Sequence, residues 1–458
     1  MTKGQLSPLE RGLRIFTDVR AGEGRVAVMM FANVLLILCA NYFVKPLREG
    51  WLAVSEIEGL TKMELKAYSS FGQSLLLVFV VSAYGKMVAR MPRGVMISRA
   101  TLFCMSNLVI FWLLQPGFFL AHLPGAGIAF YLWVGMFDVF VVAQFWAFAA
   151  DLYDDEQGKR LLPLIAIGAT SGGVVGSWLA DTLVSSGWLG SQHLLVAALV
   201  PLAASITLTR ACDSQVRRGP TATPGPQLPE PPRGGAVSLV LSSRFLLAIA
   251  LVTMILNWVN TNGENILFRV VQETLEEQVL LEGIASEATL SFVRDGTTVF
   301  YGNFFFWVNV VALFLQSIVA SRLLKYGGFG AIFLLLPVIA LASYSAMALI
   351  PILMMIKLMK IAENATDYSL NNTARHVLWL PFPSDVTFKA KPTVDTLFVR
   401  AGDGLAALTV MLGVHVLSLS VSSFAGINVV LIGVWLLMGI WIVREHRKLT
   451  GGDEHASA

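Results

Sequence analysis

Apolar runs of about 20 residues, the length of helix that crosses a bilayer, recur from one end of this chain to the other. They centre on residues 26–44, 68–86, 97–115, 126–149, 161–185 and 190–209, and again on 239–258, 301–321, 328–350, 351–371, 394–418 and 424–443. In hydrocarbon, backbone N–H and C=O groups find no partner but one another, so such runs fold as helices. Composition agrees: 55% of the 458 residues are hydrophobic, 14% are charged, and the mean hydropathy is +0.68. Soluble domains carry about a quarter charged residues. The expected fold class is an all-α polytopic membrane protein of about twelve transmembrane helices. Pro351 marks the turn between two adjoining runs, and the 161–185 run is rich in glycine. The first 24 residues are polar and basic. They lack the short apolar core of a cleaved signal, so the first run is expected to stay in the membrane.

Basic residues give these spans an orientation. With the N-terminus inside, 24 of the 33 Lys and Arg fall in cytoplasmic segments, among them Arg11, Arg20, Lys86, Arg90, Arg160, Arg210, Arg322, Lys325, Lys389, Lys391 and Arg444. Six fall in two outer segments (Lys45, Arg48, Lys62 and Lys66; Arg269 and Arg294), and three, Lys357, Lys360 and Arg400, fall within spans. An excess of Lys and Arg in the short inner loops sets topology, so an even number of spans is expected, with both termini cytoplasmic.

Between the sixth and seventh runs the stretch Asp213–Gly235 is dense in proline and glycine, which reads as a flexible linker. It divides the chain into a six-helix bundle over 1–210, a linker over 211–237 and a second six-helix bundle over 238–458. Two halves of like size suggest the parallel repeat of major-facilitator-like transporters. Matched motifs support the repeat: Asn41-Tyr42 against Asn257-Trp258, Ala143-Gln144 against Ala362-Glu363, and Asp138 against Lys357. One segment has no counterpart. Residues 267–300 carry Glu273, Glu276, Glu277, Glu282, Glu287 and Asp295 among apolar residues, and are expected to form an amphipathic extracytoplasmic helix or lid, or else a solvated loop with no role in transport.

Ionisable groups inside spans cost several kcal/mol unless a polar cavity or a partner receives them, and so mark candidate functional residues. In the tenth run Lys357, Lys360, Asn364, Asp367 and Asn371 recur at steps of three and four, with Glu363 beside them. At 100° per residue they cover an arc of roughly 80°. Such a stripe either lines a water-filled path or locks the helix to a neighbour. Lys45, Arg48 and Glu49 surround Pro46 in the first run, where they contact a solute or snorkel to the interface beside Trp51. Asp138 and Gln144 lie in the fourth run, Asn257, Asn260, Asn262 and Glu264 at the outer end of the seventh, and Asp395, Arg400 and Asp403 in the eleventh. Arg400 and Asp403, three apart, either satisfy each other or meet a substrate. Gly168, Gly172, Gly173 and Gly176, and Gly402 and Gly404, allow close helix packing. The cysteines Cys39, Cys104 and Cys212 are odd in number and at no ligand spacing, and no phosphate-binding loop, zinc cluster or nucleophile–base arrangement is present. Neither a metal, a cofactor nor enzymatic catalysis is expected, and no nucleic-acid partner.

The stretch Tyr368-Ser369-Leu370-Asn371-Asn372-Thr373-Ala374-Arg375, followed by Trp379-Leu380-Pro381, Lys389-Ala390-Lys391 and Asp395, resembles the ATP/ADP carriers of plastids and intracellular bacteria. Asn41-Tyr42 with Lys45-Pro46-Leu47-Arg48-Glu49, and Phe145-Trp146 with Ala150-Asp151 and Glu156-Gln157-Gly158-Lys159-Arg160, look more like that family's relatives in free-living bacteria. The resemblance implies a secondary transporter of the bacterial inner membrane that exchanges nucleotides of the ATP/ADP type, with basic residues for the phosphates. The positions it would use are Lys45, Arg48, Gln144, Lys357, Lys360, Glu363 and Arg400 for the solute, and Asp138, Asp367 and Asp403 for coupling or gating. Two positions depart from the carriers, which tend to have glutamate at Gln144 and lysine near Asp403. The partners expected are a small anionic solute such as ATP or ADP and the lipid bilayer, with the protein a monomer. The alternatives are a proton-coupled facilitator for a non-nucleotide metabolite and a membrane scaffold that does not transport.

Overall fold

The computed structural model describes residues 7–14, 17–88, 93–115, 125–153, 155–216 and 235–451. Most of the expected linker, 217–234, lies outside the described residues. Those that are described form helices and connecting turns, without strands. The long helices of the first part are α1 (Gly24–Ala53), α2 (Lys62–Val88), α3 (Arg93–Leu113), α4 (Ala126–Phe137, a π-helical turn Asp138–Val142, and Ala143–Leu152), α5 (Asp155–Ser185) and α6 (Leu199–Val216). Those of the second are α7 (Arg244–Glu282), α8 (Ser286–Phe314), α9 (Ala320–Leu349), α10 (Leu353–Thr366, a π-helical turn Asp367–Asn371, and Asn372–Leu378), α11 (Ser384–Thr393, a π-helical turn Val394–Phe398, and Val399–His415) and α12 (Val421–Gly451).

Among the described residues nine helical stretches are long and apolar enough to cross a membrane. One of them, Ser286–Leu349, is 64 residues long. At 1.5 Å per residue it would reach about 95 Å, several times the hydrocarbon thickness, so it holds more than one crossing. Gly328 breaks it with φ 68° and ψ −172°, a left-handed backbone that glycine adopts without strain. The protein is a multi-pass helical membrane protein. Phe79, Val200, Val430 and Leu437 point out of the helices as exposed apolar side chains, as a lipid-facing surface requires.

The acidic segment 267–300 differs from its expected form. It makes no separate helix: residues to Glu282 extend α7, Gly283 ends that helix at φ 61°, and α8 begins at Ser286. Helical periodicity runs unbroken from Arg244 until that glycine, so nothing in the sequence stops α7 where its apolar part ends. The start of α7 differs too. Residues 239–242 belong to a short helix, Ala236–Ser242, and α7 starts at Arg244, where the Ser243 hydroxyl accepts the Leu246 N–H at 3.4 Å.

The chain packs as two units. The first comprises Met1–Ser55, Leu76–Gln227 and Ile284–Asn309, the second Glu56–Leu75, Leu228–Gly283 and Val310–Ala458. In the first, α1 is the central helix and α5 lies along it through glycines at steps of four. A Cβ at Gly168 would fall 2.8 Å from the Phe31 carbonyl oxygen, at Gly172 2.3 Å from that of Leu35, and at Gly176 2.5 Å from that of Cys39. Asn33 of α1, fully buried, donates its amide to the Thr209 hydroxyl of α6 at 2.8 Å. In the second unit α7 is central, and Gly402 brings α11 against it, where a Cβ would sit 2.6 Å from the Met254 carbonyl oxygen.

Substituting Gly172→Ala should therefore destabilise the purified protein in detergent by about 1–3 kcal/mol through overpacking. Gly426→Ala, where a Cβ meets nothing within 4 Å, should be neutral or stabilising because alanine is the better helix former. Thermal unfolding of the two variants side by side measures the difference.

Candidate transport site

The polar residues expected within spans divide between the units: Lys45, Arg48, Asp138 and Gln144 belong to the first, and Lys357, Lys360, Glu363, Asp367, Arg400 and Asp403 to the second.

In the first unit α1 carries a polar face past Pro46. Asn41 donates its amide to Asp138, which opens the π-helical turn of α4. A π turn inside an α-helix shifts the register and is frequent at functional positions. The Tyr42 hydroxyl reaches Asn309 Oδ1 at 3.2 Å. The Lys45 ammonium is half-buried, 5.1 Å from the centre of the Tyr42 ring and 4.9 Å from that of Phe305, an attractive arrangement of a cation over aromatic faces. Arg48 forks onto one Glu49 oxygen, through Nε at 3.1 Å and Nη2 at 2.8 Å, with its guanidinium 4.5 Å from the Tyr131 ring centre. Gln144 is buried. The side chain of Asp151 lies outside the described residues.

The second unit holds two denser clusters. The first centres on Lys360, whose side chain is fully buried. Its ammonium donates to Glu363 Oε2 at 3.0 Å and to Asn260 Oδ1 at 2.9 Å, and lies 3.5 Å from Glu264 Oε1. The Tyr344 hydroxyl of α9 lies 3.1 Å from the Val259 carbonyl oxygen and 3.3 Å from Glu363 Oε1, its one proton serving either, and Asn364 donates to Glu264 Oε1 at 2.8 Å. Gly263 makes this approach possible, since a Cβ there would stand 1.9 Å from the Tyr344 hydroxyl and 2.9 Å from the Lys360 ammonium. Farther along α10, Asn371 donates to Asp367 Oδ1 at 2.6 Å across the π-helical turn. Lys357 and Asp367 are half-buried. One cation thus sits between two carboxylates on facing helices, α7 and α10.

The second cluster centres on Asp403. Its Oδ1 accepts from Asn257 at 2.6 Å and from Thr261 at 3.0 Å; its Oδ2 accepts from Ser74 and from Arg400 at 3.3 Å. Arg400 also donates to Ser74 at 2.9 Å. Here Arg400 and Asp403 satisfy each other, one of the two outcomes that their spacing left open. Where the start of α2 meets the end of α11, His415 Nε2 lies 2.6 Å from the buried Glu64 carboxylate, which Thr61 and Tyr68 also contact.

Glu264 is the member that sequence reasoning left out of the site, although Asn257, Asn260 and Glu264 recur at steps of three and four on one face of α7. That spacing was the available signal. Its pairing with Lys360 depends on the packing of α7 against α10, which periodicity alone does not give.

No family model matches the chain, and no curated protein sequence does. Solved structures do match. A bacterial homologue of the human lysosomal transporter Spinster aligns over 93% of this chain and 99% of its own, at 14% identity and TM-score 0.55. A D-xylose–proton symporter aligns over 91% and 96%, at 12% identity and TM-score 0.56. The human organic anion transporter MFSD10 aligns over 92% and 100%, at 15% identity and TM-score 0.54. The fold is that of major-facilitator-like transporters. At these identities the likeness speaks for the fold alone.

Replacing Asp403 by alanine would remove the acceptor that Arg400, Asn257, Thr261 and Ser74 share, leaving Arg400 only Ser74 and Asn257 only the Val399 carbonyl oxygen among the described residues. Breaking one partner of a buried charge pair costs about 3–5 kcal/mol, so Asp403→Ala should lower the unfolding temperature more than Asp403→Asn, which keeps one acceptor oxygen. Thermal unfolding in detergent would measure both.

Proposed function

We propose that this chain is a secondary active transporter of a small anionic organic solute, working by alternating access. Solute contacts are assigned to Lys45, Arg48, Gln144, Lys357, Lys360, Glu363 and Arg400, and coupling or gating to Asp138, Asp367 and Asp403. The proposal includes the arrangement expected from sequence: about twelve spans in two bundles, 1–210 and 238–458, with both termini cytoplasmic in a bacterial inner membrane. Lys360 carries the reading. A fully buried ammonium on α10, one of the spans expected from sequence, held by Glu363 and Glu264 and one turn from half-buried Lys357, is costly. An apolar side chain would pack a scaffold as well or better.

Two solute classes follow. Nucleotides of the ATP/ADP type are supported by the family resemblance and by the basic groups Lys45 and Arg48. A proton-coupled non-nucleotide anion is supported by the excess of carboxylates around Lys360, and the folds similar to this one include a D-xylose–proton symporter and an organic anion transporter. Proteoliposomes preloaded with ATP, ADP, inorganic phosphate or citrate separate the classes. The nucleotide class requires uptake of labelled ATP that depends on nucleotide inside. The proton-coupled class requires uptake that follows an inward proton gradient and ignores internal nucleotide. In either case Lys45→Ala and Lys357→Ala should cut uptake about tenfold or more, the loss of one charge-assisted contact. Absence of flux for every solute would overturn the transport reading.

A further inference from the structure

We propose that the groove between α3 and α6 in the first unit binds one anionic glycerophospholipid, with Arg99 and Arg210 on its phosphate and the outward faces of both helices along its acyl chains. The site lies apart from the residues assigned to solute and coupling. It needs the membrane setting of the chain and not its transport activity.

On α3 the exposed residues Val95, Arg99, Leu102, Ser106, Val109 and Leu113 recur at steps of three and four. At 100° per residue they fall within an arc of about 80°. On α6 the exposed residues Val200, Ala203, Thr207, Arg210 and Ser214 follow the same spacing. The two helices pack against each other. Each outward stripe is apolar or small along most of its length and carries one arginine. Both arginines lie at the same end of the pair, where α3 begins and α6 finishes.

A cavity of about 340 Å³ opens between the helices at that end. Arg99 and buried Ser98 of α3, with Arg210, Asp213 and Ser214 of α6, form its polar lining, and Val95 and Leu102 form its apolar lip. Two arginines against one aspartate leave the cavity a net charge of +1. A guanidinium presents a planar fork of N–H donors that matches a phosphate, and the two serine hydroxyls add further donors. Asp213 opposes an anion, so the second arginine decides the sign of the site.

The apolar stripes decide where the phosphate comes from. From Arg210 back to Val200 the helix rises about 15 Å, half of the roughly 30 Å hydrocarbon thickness. That is the depth of one leaflet. A phospholipid covers both stripes with its chains while its phosphate stays at the interface, whereas a soluble phosphate ester leaves them to other lipids. Basic pockets between transmembrane helices hold anionic headgroups in this manner. Arginines that merely snorkel to water need no cavity between them. The positive sum selects a headgroup of net negative charge over a zwitterionic one. On the orientation expected from sequence, the leaflet is the inner one.

Lipid retention by the full chain in detergent, read by native mass spectrometry, tests the site. Offered equal amounts of dioleoyl phosphatidylglycerol and dioleoyl phosphatidylcholine, the wild-type should keep one phosphatidylglycerol with a preference of about fivefold, the effect of one net positive charge. Arg99→Gln or Arg210→Gln brings the sum to zero, and each should bring retention of the two lipids near parity. Asp213→Asn raises the sum to +2 and should strengthen the preference about fivefold further. Arg322→Gln and Lys325→Gln, at exposed positions of the second unit, should leave it unchanged. Equal retention of both lipids by the wild-type would overturn the proposal, as would full preference in both arginine variants. Equal loss from Arg322→Gln and Lys325→Gln would overturn it too, as the mark of diffuse surface charge. Should the arginine variants not fold, an Asp213→Asn preference no greater than wild-type overturns it alone. Glycerol 3-phosphate at millimolar concentration should not displace the lipid; displacement would assign the cavity to a soluble phosphate ester and overturn the lipid assignment.

Discussion

A charge inside a lipid bilayer needs a counter-charge, a dipole or water, and an unpaired one costs several kcal/mol. The second unit is arranged around that requirement. The fully buried ammonium of Lys360 draws Glu363 from its own helix and Glu264 and Asn260 from α7, and these in turn engage Tyr344 of α9 and Asn364 of α10. Three helices are thereby held by one cation. Gly263 is part of the same requirement, since any side chain there would occupy the space of the Tyr344 hydroxyl. Asp403 repeats the pattern with the signs reversed: a buried carboxylate gathers Asn257 and Thr261 of α7, Ser74 of α2 and Arg400 of α11.

The first unit meets the same constraint with less charge. Its close helix pair, α1 with α5, rests on three glycines that let carbonyl oxygens of α1 approach where side chains would otherwise stand. Without water to drive apolar association, helices in lipid gain from such close packing and from hydrogen bonds between them, as Asn33 makes to Thr209. Its ionisable groups use aromatic faces and adjacent residues: Lys45 over Tyr42 and Phe305, Arg48 over Tyr131 and against Glu49.

Most of the helices were legible because apolar run length maps onto helix length. Among the described residues, the nine stretches long and apolar enough to span match every expected run except 68–86 and 351–371, which form helices richer in polar residues. Pro351 falls, as expected, in the break between α9 and α10. The packing role of the glycines at 168, 172 and 176 was legible from their spacing of four, which keeps them on one face. The ends of α7 were not legible in the same way, because a helix can outrun its apolar part: polar residues from Glu273 to Glu282 have good helical preference and continue it to Gly283. Pairings across helices were harder still. The stripe on α10 announced a polar face, yet that Lys360 meets Glu264, or that Asp403 takes Ser74 from α2, depends on which faces pack together. Sequence spacing fixed only the partners within one helix, such as Lys360 with Glu363 and Arg400 with Asp403.

If the polar face of α10 serves a transport path, its residues meet water in the native membrane while the opposite face meets lipid. The direct measurement is single-cysteine labelling in membranes, on a background in which buried Cys39, Cys104 and Cys212 are replaced by serine. Cysteines at Lys357 and Asp367 should react with a membrane-impermeant thiol reagent, and those at the outward apolar positions Met354 and Leu358 should not. Equal protection of all four positions, or reaction confined to Met354 and Leu358, would contradict a water-filled path along this helix.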